Sequence, residues 1–307
     1  MATRLSRNSV MRWGIRRPHR LGIALSGGGA RGFAHIRVLR VLVEAGWRPE
    51  IVTGTSAGGI VGGLFAAGLP PEAIEALARR IGWRMFMRLD PNGNALVGTE
   101  RWARFLREAV GDVRIEDLPI RFAAVAVDLD TGEEIWIDRG PLVEAMLATS
   151  AFPGVFPPVW WEGRRLVDGG VLNPLPVDAA RALGATFVIG VDLSWVEPGR
   201  ADRHLPEGLP GPLLIRWLTR RARWSRTLEV VFSSVGIMAR WITEARLART
   251  PPDWLIRVPT GEIPVFALDL APEILERGER AARAALVGLE QAMARPRWLR
   301  RLLPQAA

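Results

Sequence analysis

The sequence predicts an α/β fold in which a parallel or mixed sheet carries helices on both faces, because apolar runs and helical segments alternate along the chain. Buried strands are predicted for five short apolar runs, at 21–26, 51–54, 121–127, 133–138 and 186–192. Helices are predicted between these runs, over 33–46, from the end of the second strand to Gly68, and over 141–150 and 175–184. Several short helical segments are predicted over 71–110.

The C-terminal part of the chain is predicted to be mainly helical. Residues 197–212 are rich in Pro, Gly and charge, which indicates a linker or loop. A basic helical region is predicted over 213–249, a last strand over 254–258 and an alanine-rich closing helix over 271–294. Residues 152–158 contain three prolines, which fix φ and remove amide donors, so no regular structure is expected there.

Composition removes several classes of chemistry. The 307 residues are 49% hydrophobic and 24% charged, which is typical of a globular protein. Cysteine is absent, so disulfides, thiolate zinc sites and cysteine nucleophiles are excluded. Lysine is also absent and all 41 basic residues are arginine, which excludes Schiff-base chemistry and a P-loop lysine.

The net charge of +9 is concentrated in two regions. Residues 1–20 hold six arginines and no acidic residue, and residues 211–250 hold eight arginines against two glutamates. Such regions are typical of contact with an anionic surface, either phospholipid or nucleic acid, but a solvated face with a frayed tail explains them equally well. No helix-turn-helix, RRM or KH pattern supports a nucleic-acid partner.

Residues 51–71 carry no charge over a length that would span a bilayer. Six glycines, three hydroxyl residues and a terminal Pro-Pro favour a strand, a turn and an apolar helix instead. The N-terminus lacks the apolar segment of a secretory signal. The expected location is therefore the cytoplasm, with peripheral membrane contact through 211–250 and the basic termini.

The first candidate motif is the glycine-rich segment 27–32, which follows the first strand and opens a helix. Its amides can face an anion, so it suits a phosphate cradle or an oxyanion hole, and a tight strand–helix turn is the structural alternative. The dinucleotide-binding interpretation is weak because no acidic residue ends the next strand, and a P-loop needs a lysine.

The second motif, Gly54-Thr55-Ser56-Ala57-Gly58, has the G-x-S-x-G pattern of a nucleophile elbow at a strand–helix junction. The turn is so sharp that the residues two before and two after the serine must be small. It would expose the Ser56 hydroxyl at the start of a helix, whose dipole favours developing negative charge. The alternative role of Ser56 is a helix N-cap.

The third motif is Asp168-Gly169-Gly170, at the end of a short apolar run. Alone it indicates a hairpin turn, but a carboxylate at a strand end also suits an active site. A serine nucleophile needs a base. His204 lies in the polar linker and His35 is better explained as a structural histidine, which leaves a carboxylate base acting directly on Ser56.

Together these motifs resemble those of the patatin-like phospholipase family, and the bacterial members most. GGGARGFAHI at 27–36 resembles the family's glycine-rich oxyanion block, GTSAG at 54–58 its elbow and DGG at 168–170 its aspartate motif. SAFPGVFPPV at 150–159 and VLNPLPVDAA at 171–180 are also similar to family segments. The likeness is strong over 20–195 and weaker at LERGERAARAAL, 275–286.

The resemblance implies a three-layer α/β/α sandwich with a mostly parallel sheet and hydrolysis of lipid or phospholipid acyl esters. It implies a Ser56–Asp168 dyad working without metal or cofactor. It places the elbow glycines at Gly54 and Gly58 and the aspartate-motif glycines at Gly169 and Gly170. The implied oxyanion hole comprises Gly27, Gly28, Gly29, Arg31 and Gly32. Two alternatives remain. One is a non-catalytic regulator with the same fold that binds an anionic surface, and the other is a nucleotide-binding oxidoreductase.

The same reasoning divides the chain into five segments. A basic tail (1–19) precedes the hydrolase core (20–195). The linker and basic helical insertion (196–250) follow, then a strand and helix that complete the core (251–296), and a second basic tail (297–307).

Overall fold

A computed structural model describes residues 20–82, 85, 97–196 and 224–294 of the chain. Within them lie eight strands: β1 Leu21–Leu25, β2 Ile51–Thr55, β3 Arg121–Asp128, β4 Glu134–Ile137, β5 Val159–Trp161, β6 Arg164–Asp168, β7 Phe187–Asp192 and β8 Trp254–Arg257. The helices are α1 Phe33–Glu44, α2 Ala57–Ala66, α3 Pro71–Ala78, α4 Glu100–Val110, α5 Leu142–Thr149, α6 Val177–Ala182, α7 Trp224–Arg249 and α8 Ala271–Ala294. The predicted tails at 1–19 and 297–307, the linker 197–212 and His204 fall outside the described residues.

One mixed sheet forms the centre of the molecule. Its hydrogen-bonded neighbours follow the path β5-β6-β3-β2-β1-β7-β8, in which β6 and β2 pair with successive parts of β3, and β4 also pairs with β3. Five strands are mutually parallel, namely β3, β2, β1, β7 and β8. Strands β4 and β6 run antiparallel to β3, and β5 runs antiparallel to β6. The α/β prediction and the parallel centre of the sheet are confirmed.

Helices cover both faces of the sheet, as predicted for a three-layer sandwich. On one face a large apolar cluster joins inward side chains of the strands to α1, α2, α5 and α8. On the other face a smaller cluster joins α6 to the sheet, and Leu247 of α7 packs against it. The carboxyl ends of the central strands lie between these layers, where sites in α/β sheets form.

The hairpin formed by β5 and β6 is absent from the sequence prediction. Its turn is Glu162-Gly163, and both residues have positive φ, 48° and 79°. Such a turn is usually signalled by Asn-Gly or Asp-Gly, and β5 has only three residues directly after two prolines. Neither the turn nor the short strand therefore gave a recognisable pattern.

The uncharged segment 51–71 forms strand β2 and helix α2, as the glycines and prolines indicate. Among the described residues, none of the helices has both the length and the apolar character that crossing a bilayer requires. The predicted basic helical region is confirmed over 224–249, and its first part, 213–223, lies outside the described residues.

Candidate active site

Strands β2 and β6 meet end to end along the same side of β3. At Val125, β3 pairs with both Thr55 of β2 and a residue of β4, so β2 and β4 lie on opposite sides of it. At the next position, Ala126, β3 pairs with Asp168 of β6 and again with β4. Both β2 and β6 therefore lie opposite β4, and their carboxyl ends converge. This geometry brings Asp168 to Ser56, which directly follows β2.

The backbone at Ser56 has the strained conformation of a nucleophile elbow. Its φ of 54° and ψ of −123° are in a region that L residues rarely adopt, at a cost of about 1–3 kcal/mol. The flanking glycines make the turn sterically feasible, since a Cβ on Gly54 would lie 2.3 Å from the carbonyl oxygen of Gly58, and a Cβ on Gly58 would lie 2.2 Å from that of Leu25. Ser56 stands at the N-terminus of α2, but its side chain makes no capping hydrogen bond.

The carboxyl group of Asp168 is buried beside the Ser56 hydroxyl. Burial raises its pKa to about 6, and hydrogen bonds from the Ser56 side chain and the Gly170 amide oppose the rise. The Gly170 amide donates to Oδ1 over 2.7 Å. A Cβ on Gly169 would lie 2.2 Å from the carbonyl oxygen of Val125, so only glycine lets the chain turn here against β3.

The glycine-rich loop lies against the elbow. A Cβ on Gly27 would stand 3.3 Å from the Cβ of Ser56, and a Cβ on Gly32 would stand 2.5 Å from that of Ala57. Gly29 has a φ of 57°, and its missing side chain leaves room for the carbonyl group of Val265. These glycines therefore allow close backbone packing, with Gly32 joining the start of α1 to the start of α2.

Hydrogen bonding narrows the set of predicted oxyanion donors. The Gly27 amide donates to the carbonyl oxygen of Pro174 over 2.9 Å, and the Arg31 amide donates to that of Gly28 over 3.2 Å. Only the amides of Gly28 and Gly29, at the start of the 3-10 turn Gly29–Gly32, make no hydrogen bond within the described part of the chain. The amides of Gly27 and Arg31 are thus engaged within the protein, and those of Gly28 and Gly29 remain as candidate donors.

The Arg31 side chain is also engaged within the protein. Its Nε donates to the carbonyl oxygen of Ile263 over 2.5 Å. Burial lowers the pKa of Arg31 to about 10, and the nearby carboxylates of Glu262 and Asp192 partly offset this. Arg31 therefore fastens the segment around 263 to the glycine-rich loop.

Thr149, the last residue of α5, supports the elbow and was not singled out from the sequence. Its Oγ1 accepts a hydrogen bond from the Ser56 amide over 3.0 Å and donates to the carbonyl oxygen of Val125. The side chain is fully buried. Thr149 thus ties the strained Ser56 backbone to β3, and no local sequence pattern marks a helix-terminal threonine for this role.

The loop after Asp168 is fastened to its surroundings by buried polar groups. The hydroxyl of Thr55 donates to the backbone carbonyl of Asn173 over 2.7 Å. The Asn173 side-chain amide donates to Glu134 over 2.6 Å and to Asp178 over 2.9 Å. Arg246 of α7 joins the same two carboxylates, at 2.7 and 2.6 Å. This network links the aspartate loop to β2 and to the basic helix.

His35 has the structural role that the sequence analysis favoured. It is completely buried, and its Nε2 contacts the carbonyl oxygen of Ser26 over 2.8 Å. Burial lowers the pKa of His35 to about 4, so the ring is neutral at physiological pH. No cluster of three or more His, Asp or Glu side chains suited to a metal ion occurs within the described residues.

Comparison with known proteins identifies the family. A family model described as patatin-like phospholipase matches residues 23–181, which is just over half of the chain. The chain belongs to the patatin-like phospholipase family. The matched region contains the glycine-rich loop, Ser56 and Asp168, so the resemblance based on the three motifs is confirmed.

Relatives of this patatin-like protein occur in bacteria and fungi. An uncharacterized NTE family protein of Mycobacterium tuberculosis is 38% identical over 224 residues, covering 72% of this chain and 61% of the relative. A lysophospholipase of Emericella nidulans is 33% identical over 204 residues, covering 64% of this chain and 13% of the relative. The chain thus spans less than two thirds of the length of these curated relatives.

The fold is shared with a solved structure. VipD from Legionella pneumophila superposes with a TM-score of 0.53 at 14% identity, covering 88% of this chain and 67% of that one. At that identity the likeness concerns the fold.

Proposed function

We propose that this protein is a serine acyl hydrolase that cleaves lipid or phospholipid acyl esters through Ser56 and Asp168. The meeting of β2 and β6 along one side of β3 carries the proposal, since it sets the hydroxyl beside a buried carboxylate. Membership of the patatin-like phospholipase family supports a lipid substrate. So does the name of the 33%-identical fungal relative, a lysophospholipase.

In the first half of the proposed reaction, Asp168 takes the proton of Ser56 as Oγ attacks the ester carbonyl carbon. The tetrahedral intermediate collapses to an acyl-enzyme, and the leaving alcohol takes the proton from Asp168. In the second half, Asp168 takes a proton from water, which attacks the acyl-enzyme. Ser56 regains its proton as the fatty acid leaves.

The amides of Gly28 and Gly29 are the proposed donors to the oxyanion. They lie at the start of a 3-10 turn and have no hydrogen-bond partner within the described part of the chain. A preorganised donor of this kind contributes about 3–4 kcal/mol to transition-state stabilisation in other acyl-transfer sites. Ser56 cannot add its own amide, because that group is bound to Thr149.

A fluorophosphonate probe and a soluble p-nitrophenyl ester test this proposal together. Wild-type protein should be labelled at Ser56 and should hydrolyse the ester. Ser56→Ala should lose both properties, and Asp168→Asn should lose hydrolysis, while each keeps its circular dichroism spectrum. Retention of ester turnover by either variant would remove that residue from the mechanism.

Two further substitutions are matched controls. Ser150→Ala removes a nearby hydroxyl that donates to the carbonyl oxygen of Met146. Asp192→Asn replaces another buried carboxylate, which ends β7 and binds the amide and hydroxyl of Ser194. Both controls should keep labelling and hydrolysis. A wild-type protein that neither reacts with the probe nor cleaves any ester would favour a non-catalytic surface-binding protein on the same fold.

A further inference from the structure

We propose that the outward side of α7 docks on an anionic lipid surface and thereby holds the loop that follows Asp168 close to the substrate. The outer face of α7 is defined here as Ile237, Met238 and Trp241. This inference rests on the proposed function, because a hydrolase of membrane lipids has to meet them at an interface. These three side chains would make the contact between α7 and the lipid surface.

The outer face of α7 is apolar and exposed. Ile237 is 57% exposed, Met238 55% and Trp241 71%. Residues at positions i, i+1 and i+4 of a helix share one side, so these side chains form a single patch. Ala245 and Ala248 continue the same side towards the helix C-terminus and are also exposed.

The charges around this face suit anionic headgroups. Arg240 is exposed next to Trp241, and Arg249 is exposed at the end of the helix. Glu244, one turn after Trp241, is also exposed, but its carboxylate is paired with Arg257 over 2.9 Å, which offsets its charge. Tryptophan and arginine together are typical of helices that lie in a membrane interface, where the ring sits at headgroup level. A second copy of this chain is a poorer occupant, since each copy carries a net charge of +9.

The inner side of α7 is attached to the loop that carries Asp168. The Arg246 guanidinium donates to the carbonyl oxygen of Leu172 over 3.0 Å and forms ion pairs with Glu134 and Asp178. Val171, between the aspartate motif and Leu172, is itself exposed. Docking of the outer face would therefore bring the lipid surface to within one helix diameter, roughly 10–12 Å, of the loop that follows Asp168.

Vesicle co-sedimentation of the full chain tests the proposal. The inactive Ser56→Ala protein is used, so that binding is measured without hydrolysis. It should bind vesicles of phosphatidylcholine and phosphatidylglycerol more strongly than phosphatidylcholine alone. The double change Ile237→Ser and Trp241→Ser should weaken that binding by roughly tenfold or more, as expected when two interfacial apolar side chains are lost.

Trp160→Ala is the matched control, because Trp160 is also 71% exposed but lies on β5. It should leave vesicle binding unchanged. Equal loss of binding in both variants, or unchanged binding by the α7 variant, overturns the assignment. A dimer in ultracentrifugation that the α7 variant converts to a monomer also overturns it, because a second copy then occupies the face.

The soluble ester assay separates this inference from the proposed function. With Ser56 restored, the α7 variant should hydrolyse p-nitrophenyl esters at the wild-type rate but lose activity on vesicles. Loss of soluble ester turnover in the α7 variant would show that the face maintains the fold, which contradicts docking. Wild-type protein that binds anionic vesicles but cleaves no ester would contradict the proposed function and leave the docking face supported.

Discussion

Burial of the Asp168 carboxyl group couples the proposed catalysis to pH. Asp168 acts as a base only when it is ionised, and burial raises its pKa to about 6. The rate of ester hydrolysis should therefore rise as pH increases through about 6 and level off above it. A profile of kcat/KM against pH measures this, and a midpoint near the ordinary aspartate value of about 4 would contradict it.

The same group should weaken the folded state at neutral pH. Its pKa is higher in the folded than in the unfolded chain. The contribution of Asp168 to the free energy of unfolding is therefore most favourable below about pH 4 and declines as the pH rises to about 6. Asp168→Asn should therefore raise the free energy of unfolding at pH 8 by on the order of 2–3 kcal/mol, and by much less at pH 4. Urea unfolding at the two pH values measures the difference, and an equal effect at both would refute this origin.

Thr149 should matter for turnover as well as for stability, because it holds the amide of the strained Ser56. Thr149→Val keeps the shape but leaves that amide and the carbonyl oxygen of Val125 without their partner, at about 1–3 kcal/mol each. We expect kcat on a soluble ester to fall with little change in KM, and Thr149→Ser to restore it. Lower stability with unchanged kcat would mean that Thr149 is only structural.

At the scale of elements, two helical glycines should respond oppositely to alanine. A Cβ on Gly278 of α8 would stand 2.4 Å from the carbonyl oxygen of Ala34, where α8 crosses α1. A Cβ on Gly236 of α7 would meet no other atom of the described residues within 4 Å. Gly278→Ala should destabilise by about 1–3 kcal/mol, and Gly236→Ala should stabilise by about 0.5–1 kcal/mol. Thermal unfolding of the pair measures this, and destabilisation of both would show that α7 needs its glycine.

Elements with a strong local pattern were predictable, and contacts between distant segments were not. The G-x-S-x-G spacing identified Ser56 because the sharp turn requires small residues two before and two after the serine, all within five consecutive residues. Arg246 carries no such signal, since its partner Glu134 is 112 residues away along the chain. The hydrogen bond of the Gly27 amide could not be predicted either, because its acceptor, Pro174, lies in the loop that follows Asp168, far from Gly27 in the sequence.

At the scale of the whole molecule, the C-terminal elements complete the structure that carries the site. Strand β8 extends the sheet beside β7, and α8 covers α1 on one face. Ile274 and Leu289 of α8 are fully buried in the same cluster as Leu39 of α1. Burial of an aliphatic side chain of this size contributes about 1.5–3 kcal/mol, so these two alone approach the total stability of a small domain.

A chain that ends at residue 196 should therefore fail to fold, although it keeps Ser56 and Asp168. Removing β8 and α8 uncovers α1 and leaves β7 as an open sheet edge, which favours aggregation. We expect this fragment to lack a cooperative thermal transition and to show no labelling by the fluorophosphonate probe. A chain that ends at residue 296 keeps α8 and is the control, with the melting temperature of the full chain. A folded, reactive fragment ending at 196 would show that the site needs only the segment matched by the family, and that the C-terminal layer is an accessory to it.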